Sequence, residues 1–394
     1  MRIGMLLERQ FPFDERVEKE ALSLIAGGHK VYILSFDHDL GKTKENYKGI
    51  EVLRFPLGRN AYRKLSPLYR ILPYYRRLWL KHAKAMAGEY QIDVLHVHDL
   101  PLAGVGSAIK KRFGCRLVLD QHELWSETVK HYRHYNTLAG RIVRFLSNWK
   151  AYEKKQFSYA DAVVTVEEPI REWYIEKTGT AAEKIIVIPN TPSRSDIERI
   201  RLPEKSEIKE FVLFYAGKID RNRYLDTVIR ALPVLKEEIP GLVFRVAGNI
   251  ARGCDPRQTA KRLGVEKQLS YLGNLSFDEM IREMHLADIC ISLLPTFSEE
   301  LNRTIVTKVY QYLQLAKPMI VSRSHYMRTF VETQGLGLSV DETRPESLAE
   351  AVREMYAHPE KMREYSANSQ HIRGLYTWEN TVMPLLELYR SFEQ

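Results

Sequence analysis

The sequence predicts an α/β protein of two domains, each built on an open, mostly parallel sheet. Its 394 residues exceed the roughly 100–200 residues of a usual domain, which favours two domains. Short apolar runs that are typical of buried strands alternate with segments of helical periodicity in both halves of the chain. With 44% apolar and 28% charged residues, the composition is that of a globular protein with enough apolar side chains for two cores.

The first half begins with a predicted strand from Arg2 to Leu7, a loop, and a helix that Asp14 caps. Gly27 and Gly28 end this helix, and the next strand begins with VYILSF. This order is typical of a Rossmann-type unit, but the fingerprint G-x-G-x-x-G is missing, which disfavours a dinucleotide cofactor. The later elements predicted in this half are the strand IDVLHVHD, a helix at 101–113, the strand CRLVLD, a helix at 136–158, and strands at 162–166 and 185–189.

The second half repeats the alternation after a polar linker, TPSRSDIERIRLPEKSEIKE. We place the first domain at 1–195 and the second at 196–375, followed by a helical segment at 376–394. Because ligands of open α/β sheets bind beyond the carboxyl ends of the strands, we expect a site in a cleft that the two domains face. The strands predicted in this half are 211–216, 242–247, 269–272, 289–294, 318–321 and 336–339, with helices between them.

A cationic turn follows the predicted strand FVLFYA at 211–216. The apolar run stops at Gly217, Lys218 and Arg223 follow, and a helical pattern begins soon after. A turn of this kind, at the carboxyl edge of a parallel sheet, is where an open α/β fold holds a phosphorylated ligand. Two fixed cations there would neutralise a diphosphate without a metal. The alternative is an ordinary surface turn whose charges are solvated.

Polar residues follow other predicted strands of the first half. His122 comes just past the end of CRLVLD, where a side chain is expected to face the cleft, although a structural histidine bonded to a loop carbonyl is the alternative. Asp37 and Asp39 could ligate a divalent metal, but no third ligand is evident, so a polar loop is favoured. The cysteines have no paired spacing, which suits a reducing cytosol and predicts no zinc site: Cys115, Cys254 and Cys290.

The positive charge of the chain lies entirely in its first half. Residues 1–200 hold 33 Lys and Arg against 24 Asp and Glu, whereas residues 201–394 hold 26 of each. No apolar run has the roughly 18–20 residues of a membrane span, and Glu8 comes too early for a signal peptide. The excess charge therefore predicts a surface that meets an anionic partner: a membrane, a nucleic acid or a phosphorylated acceptor.

The segment from Arg54 to Lys84 carries nine basic residues, no acid and six aromatic residues. A solvated loop and helix is the ordinary interpretation of such a run. Aromatic side chains among cations also suit the headgroup region of a membrane, so the sequence favours contact with an anionic membrane surface. Nucleic-acid binding is disfavoured because no nucleic-acid recognition motif is present. The residues predicted to face the membrane are Arg70, Arg76, Arg77 and Lys81.

Fragments distributed over nearly the whole chain together resemble one family. They include PFDERVEKEALSLIAGGHKV, DVLHVHDLPLAG, LVLDQHELWSE, ADAVVTVEE with VIPN, FYAGKIDRNRYLD, ADICISLLP, KVYQYLQLAKPMIVS and TWEN. Each is weak alone, but their order and spacing are specific. In these features the chain resembles the family 4 glycosyltransferases of the GT-B fold. That resemblance implies two Rossmann-like domains and a last helix, around 376–392, that crosses back onto the first domain.

The resemblance also implies an activity and a set of site residues. The family transfers a sugar from a nucleoside diphosphate sugar, usually with retention at the anomeric carbon and without a metal or further cofactor. By resemblance, His122, Lys218 and Arg223 are catalytic. The residues implied for the donor site are Asn190, Gly217, Lys218, Arg223, Gly248, Asn302, Arg303, Thr307, Lys308 and Gln311. Those implied for a loop on the acceptor side are Pro12, Asp14, Arg16 and His98.

The chain departs from the family pattern at several positions. Arg303 and Gln311 stand where many members carry two Glu residues, and the second of these Glu residues usually binds the ribose. Gln311 keeps an acceptor oxygen but loses the charge. Val306 replaces a common Pro, while Tyr224 and Ala316 replace common Gly residues.

Three hypotheses follow. The favoured one is a retaining glycosyltransferase on the cytoplasmic face of a membrane, with a lipid-linked acceptor or a precursor of a surface glycan. A nucleotide-sugar epimerase of the same fold would need a deprotonating base and no acceptor. A degenerate, non-catalytic subunit that binds sugar nucleotides is the third hypothesis, and Arg303 and Gln311 favour it.

Overall fold

A computed structural model of the protein describes residues 1–39, 41–132, 135, 137–204 and 210–394. The chain divides into two compact units, one of Met1–Pro189 with Val382–Gln394 and the other of Asn190–Thr381. The boundaries predicted after residues 195 and 375 differ from this division. In the structure the Trp378 N–H donates to the carbonyl of Pro192 (2.9 Å), and the Ser193 hydroxyl donates to Glu379 (2.7 Å). These bonds hold the segment after Pro189 within the second unit.

The first unit is built on a parallel sheet edged by one antiparallel strand. The order of its strands, among the described residues, is β3-β4-β2-β1-β5-β6-β7-β8. β3 pairs antiparallel with β4, and the other pairings are parallel. The sequence does not predict β3 and β4, which a tight turn at Lys48 and Gly49 joins. The strands are β1 (Arg2–Leu6), β2 (Lys30–Asp37), β3 (Lys44–Tyr47), β4 (Ile50–Pro56), β5 (Val94–His98), β6 (Arg116–Asp120), β7 (Ala162–Thr165) and β8 (Ile185–Val187).

Helices cover this sheet, and the helix predicted at 136–158 is two helices. Asn148 separates them, with a left-handed φ of 42°, and its side chain accepts a bond from the N–H of Ala151 (3.4 Å). Asn tolerates this conformation better than most residues, so one residue ends one helix and caps the next. The helices are α1 (Glu15–Ala26), α2 (Arg59–Leu65), α3 (Pro73–Tyr90), α4 (Ala103–Phe113), α5 (Trp125–Thr128), α6 (Leu138–Ser147), α7 (Trp149–Tyr159) and α8 (Glu168–Thr178).

The aromatic residues between Arg54 and Lys84 mostly form core rather than surface. Phe55, Tyr69, Tyr75 and Trp79 are all buried in the first unit, where Trp79 is fully covered. Burial of such rings supplies much of the apolar contact of a core. The expectation that these aromatics face a headgroup region is therefore wrong for these four. The four cations predicted for the membrane surface are all exposed: Arg70, Arg76, Arg77 and Lys81.

The second unit is a parallel sheet of order β11-β10-β9-β12-β13-β14 among the described residues. Two apolar clusters cover its faces, one centred on Val228 and Leu232 and the other on Val309 and Tyr312. The strands are β9 (Phe211–Ala216), β10 (Leu242–Ala247), β11 (Leu269–Tyr271), β12 (Ile289–Ser292), β13 (Met319–Ser322) and β14 (Gly337–Val340). The helices are α9 (Arg194–Glu198), α10 (Leu225–Glu238), α11 (Pro256–Leu263), α12 (Phe277–Leu286), α13 (Thr307–Gln314), α14 (His325–Thr333), α15 (Pro345–Ala357), α16 (Pro359–Ile372) and α17 (Trp378–Thr381).

The helix α18 (Met383–Ser391) belongs to the first unit, as the resemblance implies. Tyr389 on this helix is fully buried, and its hydroxyl lies 2.8 Å from Nδ1 of His96 on β5. The two rings are stacked, with centroids 6.2 Å apart. Across the described part of the chain, no helix combines the length and apolarity that crossing a bilayer requires.

Candidate active site

The predicted donor residues of the second unit meet where β9 and β10 end. Gly217 follows β9 and Gly248 follows β10, both with positive φ, 142° and 130°. A Cβ atom at Gly248 would lie 1.8 Å from the carbonyl oxygen of Gly217, so the two backbones touch. Only glycine permits this approach. The result is a close contact of two backbone turns at the carboxyl edge of the sheet, which is where phosphorylated ligands bind in this class of fold.

Three cations surround this contact. Lys218 follows Gly217 directly and Arg223 ends the short turn before α10, while Lys308 comes from α13. The Lys218 ammonium pairs with Asp220 (3.1 Å) and is largely exposed. Nε of Arg223 is buried and has no hydrogen-bond partner among the described residues. A buried N–H group without a partner is costly, which favours an anionic ligand at this position.

Lys308 is the most buried of the three cations. Its Nζ lies 5.0 Å from the centre of the Tyr215 ring and only 2.5 Å from where a Cβ atom of Gly217 would be. Burial disfavours the ammonium and the charge of Arg223 repels it, and together they lower the pKa of Lys308 to about 8. An approaching diphosphate would relieve this repulsion and restore the full charge.

α13 adds neutral groups to the same site. Thr307 is the first residue of the helix, so it lies at the helix N-terminus. Gln311 lies one turn further and is buried, and no hydrogen bond among the described residues uses its side-chain amide. A buried amide with unused donors and acceptors indicates a polar ligand.

The loop before α13 is held by its own residues. The Arg303 guanidinium pairs with Glu299 (2.9 Å), so the unusual Arg has a carboxylate partner within its own loop. Asn302 donates to the carbonyl of Thr296 and accepts from the N–H of His325 (3.2 Å). Both groups of the Asn302 amide are thus engaged in positioning the loop. Asn190, also implied for the donor site, is the first residue of the second unit.

Two departures from the family pattern coincide with unusual backbone geometry. Tyr224 and Ala316 have φ of 48° and 52°, which is the left-handed region that favours glycine. Tyr224 precedes α10, and Ala316 follows α13. Both residues thus adopt a backbone conformation that suits glycine, at a cost of roughly 1–2 kcal/mol for each residue.

In the first unit, His122 lies within a buried set of charges. Its Nε2 is 3.2 Å from a carboxylate oxygen of Asp99, and its Nδ1 is 3.6 Å from Asp120. Burial alone would lower the pKa of His122, but Asp99 and Asp120 outweigh burial and raise the pKa to about 10. The imidazole is therefore a cation at neutral pH and donates rather than accepts protons.

Arg16 and His98 are predicted in an acceptor-side loop. In the structure both are buried, and both contact Asp120, which also lies near His122. Arg16 belongs to α1 and binds both oxygens of Asp120 (3.1 and 3.2 Å) and the carbonyl of Ile188 (2.9 Å). His98 ends β5 and its Nδ1 lies 2.9 Å from Asp120. The pKa of Asp120 is held well below its usual range by Arg16 and the two histidines, against the effect of burial. Both residues therefore position Asp120 and, through it, His122.

Glu20, His96, His98 and Asp120 are the one group of possible metal ligands within metal-binding reach of one another among the described residues. The guanidinium of Arg16 already lies 2.9 Å from Glu20 and pairs with Asp120. A fixed cation thus occupies the position in which a metal would neutralise these carboxylates. The Asp37 carboxylate accepts hydrogen bonds from the N–H groups of Asp39 (3.0 Å) and Gly41 (2.9 Å). These bonds are those of a polar loop, which is the interpretation that the sequence favours for Asp37 and Asp39.

The loop before α1 places Pro12, Phe13 and Asp14 together. Asp14 caps α1 as predicted, accepting from the N–H of Val17 (3.2 Å), and it lies 3.7 Å from Arg9. Pro12 is half-buried, and Phe13 beside it is 82% exposed. The sequence does not single out Phe13.

The sequence also misses an aromatic cavity beside Asp99. Its volume is about 240 Å³, and Glu8, Asp99 and Trp125 are among the residues that line it, with Tyr62, Tyr132 and Tyr135. Burial raises the pKa of Glu8 to about 8, and Nε1 of Trp125 has no hydrogen-bond partner among the described residues. Flat aromatic faces with a few polar groups are typical of sites for sugars and other amphipathic ligands.

Comparisons with known proteins identify the family of the chain. Residues 16–191 match the family described as Glycosyltransferase Family 4, and residues 196–372 match the family described as Glycosyl transferases group 1. Together the two matches span both units. The chain belongs to the family 4 glycosyltransferases of the GT-B fold, and its class of activity is sugar transfer.

Individual relatives are distant. The glycosyltransferase EpsD of Bacillus subtilis is 23% identical over 89% of this chain and 87% of its own. A sucrose-phosphate synthase from Thermosynechococcus elongatus has a similar solved structure, with a TM-score of 0.73 and 17% identity over 99% and 98% of the two chains. HepE of Anabaena, solved in complex with UDP-glucose, gives a TM-score of 0.67 and 16% identity over 99% and 100%.

Proposed function

We propose that the protein is a retaining, metal-independent glycosyltransferase whose donor is a nucleoside diphosphate sugar. The observation that carries this proposal is the set of three cations around Gly217, of which Arg223 and Lys308 form no ion pair among the described residues. HepE of Anabaena, which shares the fold, was solved with UDP-glucose. In this chain the diphosphate would lie against Gly217 and Gly248, between Lys218, Arg223 and Lys308.

The same cations would assist the transfer step. Breaking the bond between sugar and phosphate develops negative charge on the leaving diphosphate, and Lys218 and Arg223 would stabilise that charge as it forms. Asp220, the carboxylate in this turn, is held by Lys218 and by the N–H of Asn222 (3.0 Å). With Asp220 engaged, we propose attack from the face of the leaving group, the departing phosphate accepting the proton of the acceptor hydroxyl.

The raised pKa of His122 is consistent with the leaving phosphate, and not His122, accepting the proton of the acceptor. As a cation at neutral pH, His122 would not act as the base that activates the acceptor. It would instead contribute positive charge near the reacting sugar, in an orientation that Asp99 and Asp120 fix. Gln311 would bind the ribose hydroxyls through its free amide, replacing the charged interaction of a Glu by neutral bonds.

The acceptor side would lie in the first unit, where aromatic faces line the cavity beside Asp99. A glycan or lipid-linked sugar suits these faces. The exposed cations Arg70, Arg76, Arg77 and Lys81 support docking on an anionic membrane, which we propose is the cytoplasmic face of the membrane that holds a lipid-linked acceptor.

Product analysis with a panel of nucleoside diphosphate sugars tests the proposal. Donors would first be selected by thermal stabilisation, since a ligand at 100 Kd adds about 2.7 kcal/mol to the free energy of unfolding. Transfer to an acceptor in the presence of a chelator is the expected result. A changed sugar in donor-only reactions would instead show an epimerase, and donor binding without any turnover would show a non-catalytic subunit.

A further inference from the structure

A second site of the first unit is a cavity of about 810 Å³ among α3, α4 and α7. None of its lining residues belongs to the donor or acceptor sites described above. Five of them are cations and none is an acid. The lining cations are Arg70, Arg76, Lys110, Lys111 and Lys155.

These five cations have different partners. Lys110 is neutralised by Asp161 (2.7 Å), and Arg70 lies over the ring of Tyr152 with 4.0 Å between guanidinium carbon and ring centre. Lys111 and Lys155 are exposed and form no ion pair among the described residues. The cavity therefore carries a net positive charge that its own lining does not compensate.

The inner wall of the cavity is rigid and presents a free donor. The N–H of Gly104 donates to the hydroxyl of Tyr152 (2.7 Å), and a Cβ atom at Gly104 would lie 2.6 Å from that oxygen. Gln156 is 5% exposed, and its side-chain oxygen accepts from Ser107 (2.7 Å). The amide nitrogen of Gln156 has no hydrogen-bond partner among the described residues. An unpartnered N–H donor on a mostly covered side chain within a cationic cavity matches a phosphate oxygen.

The neighbouring helix α6 presents an uncovered apolar face. Leu138, Ile142, Phe145 and Leu146 are between 59% and 83% exposed, and their spacing places them on one side of the helix. Asn148, where α6 ends and α7 begins, also lines the cavity. The cationic cavity and the apolar face are thus adjacent along the chain, in the arrangement of an interfacial membrane helix.

We propose that this cavity binds the phosphate-bearing headgroup of an anionic membrane lipid while the apolar face of α6 lies among the acyl chains. A soluble anion would satisfy the cations but would leave the α6 face exposed to water. The inference rests on the membrane association proposed above and is independent of sugar transfer. It adds a defined lipid site to the diffuse attraction of the exposed cations.

Sedimentation of the full chain with vesicles tests this site. Vesicles of phosphatidylcholine with phosphatidylglycerol are compared with vesicles of phosphatidylcholine alone. The cavity variant is Lys111→Glu with Lys155→Glu, and the matched control is Lys30→Glu with Lys154→Glu, which changes the net charge equally at exposed positions outside the cavity. We expect the wild type and the control variant to bind the anionic vesicles. The affinity of the cavity variant for these vesicles should be lower by a factor of about 30 or more.

Equal binding of the two charge variants would overturn the lipid site and would indicate diffuse attraction instead. A failure of the wild-type protein to bind anionic vesicles at low salt would also overturn it. Phe145→Ser with Leu146→Ser should also release the protein from vesicles, whereas Leu375→Ser, an exposed apolar residue of the second unit, should not. Stabilisation by glycerol 3-phosphate that needs Lys111 and Lys155, without vesicle binding, would show a site for soluble phosphates and would overturn the proposal. Stabilisation by nucleoside diphosphate should be unchanged in every variant, so failure here leaves the donor site untouched.

Discussion

Nζ of Lys308 lies 2.5 Å from the position that a Cβ atom would take on Gly217, so the lysine fills the space left by the missing side chain. This placement buries the ammonium against the strand end, and it explains why the pKa of Lys308 is lowered to about 8. Lys308 is therefore still charged at neutral pH, but it loses its charge at a lower pH than an ordinary lysine does.

Diphosphate binding should therefore depend on pH through Lys308. Between pH 8 and the ordinary lysine value of 10.5, the Lys308 amine of the free protein is largely neutral and binding must take up a proton, so affinity should fall as pH rises through this window. Calorimetry in buffers of different ionisation enthalpy measures the uptake. Lys308→Met should bind more weakly and lose the uptake; a wild-type protein that takes up no proton at pH 9 would contradict this assignment.

Lys218→Ala and Arg223→Ala should each reduce kcat/KM strongly with little effect on folding. Hydrogen bonds to charged groups contribute about 1.5–3 kcal/mol, which corresponds to roughly tenfold or more for each residue. Arg221→Ala is the matched control, because Arg221 is an exposed cation of the same turn. Near-normal activity of the double variant Lys218→Ala with Arg223→Ala would disprove the donor site.

Gln311 offers a test of the ribose interaction. Its buried amide is free, so Gln311→Glu should keep or improve donor affinity, whereas Gln311→Ala should weaken binding by about three- to tenfold, as expected for one neutral hydrogen bond. Donor dissociation constants measure the effect, with the exposed Gln334→Ala as control. A clear loss of affinity in Gln311→Glu would mean that Arg303 and Gln311 form a pocket unlike that of the family.

His122 should remain protonated far above the ordinary histidine range. Its pKa of about 10 is raised, so its contribution to stability is complete below pH 6.5 and is lost as pH rises through 10. Asp99→Asn removes the 3.2 Å ion pair and should lower the value, as titration by NMR would show, while the exposed Asp39→Asn should not. Titration of His122 near pH 6.5 in the wild-type protein would refute the cationic role.

Ala316→Gly should stabilise the protein. The left-handed φ of 52° costs alanine roughly 1 kcal/mol that glycine does not lose, which corresponds to about 2–4 °C in Tm for a unit of this size. Gly264 has a φ of 64°, and a Cβ atom there would meet open space, so Gly264→Ala should lower Tm by a similar amount. An unchanged or lower Tm in Ala316→Gly would show that the methyl group of Ala316 contributes packing that outweighs the strain.

Much of this fold follows from local patterns, because a strand buried on both faces requires a continuous apolar run. The turn from Gly217 to Arg223 is predictable for the same reason, since the cations follow such a run. The break at Asn148 is not, because one residue in a left-handed conformation barely disturbs the helical periodicity around it. Whether Phe55 and Trp79 face core or membrane is also invisible in sequence, since both environments favour aromatic side chains.

The aromatic cavity beside Asp99 cannot be predicted from the sequence, for a different reason. Its lining comes from segments far apart in sequence, such as Glu8, Tyr62 and Trp125, and no single stretch carries a signal. The sequence also predicts Arg16 as a cation of a loop. Its pairing with Asp120, 104 residues away, exists only once β1, β5 and β6 lie side by side.

The hydrogen bond between Tyr389 and His96 joins residues 293 positions apart, with the whole second unit between them in the chain. During synthesis, the second unit therefore emerges and can fold while the core of the first unit still lacks α18. The first unit is completed last, although its strands are made first. A ribosome-bound chain that stops at Thr381 would thus lack the cover that Tyr389 gives to His96.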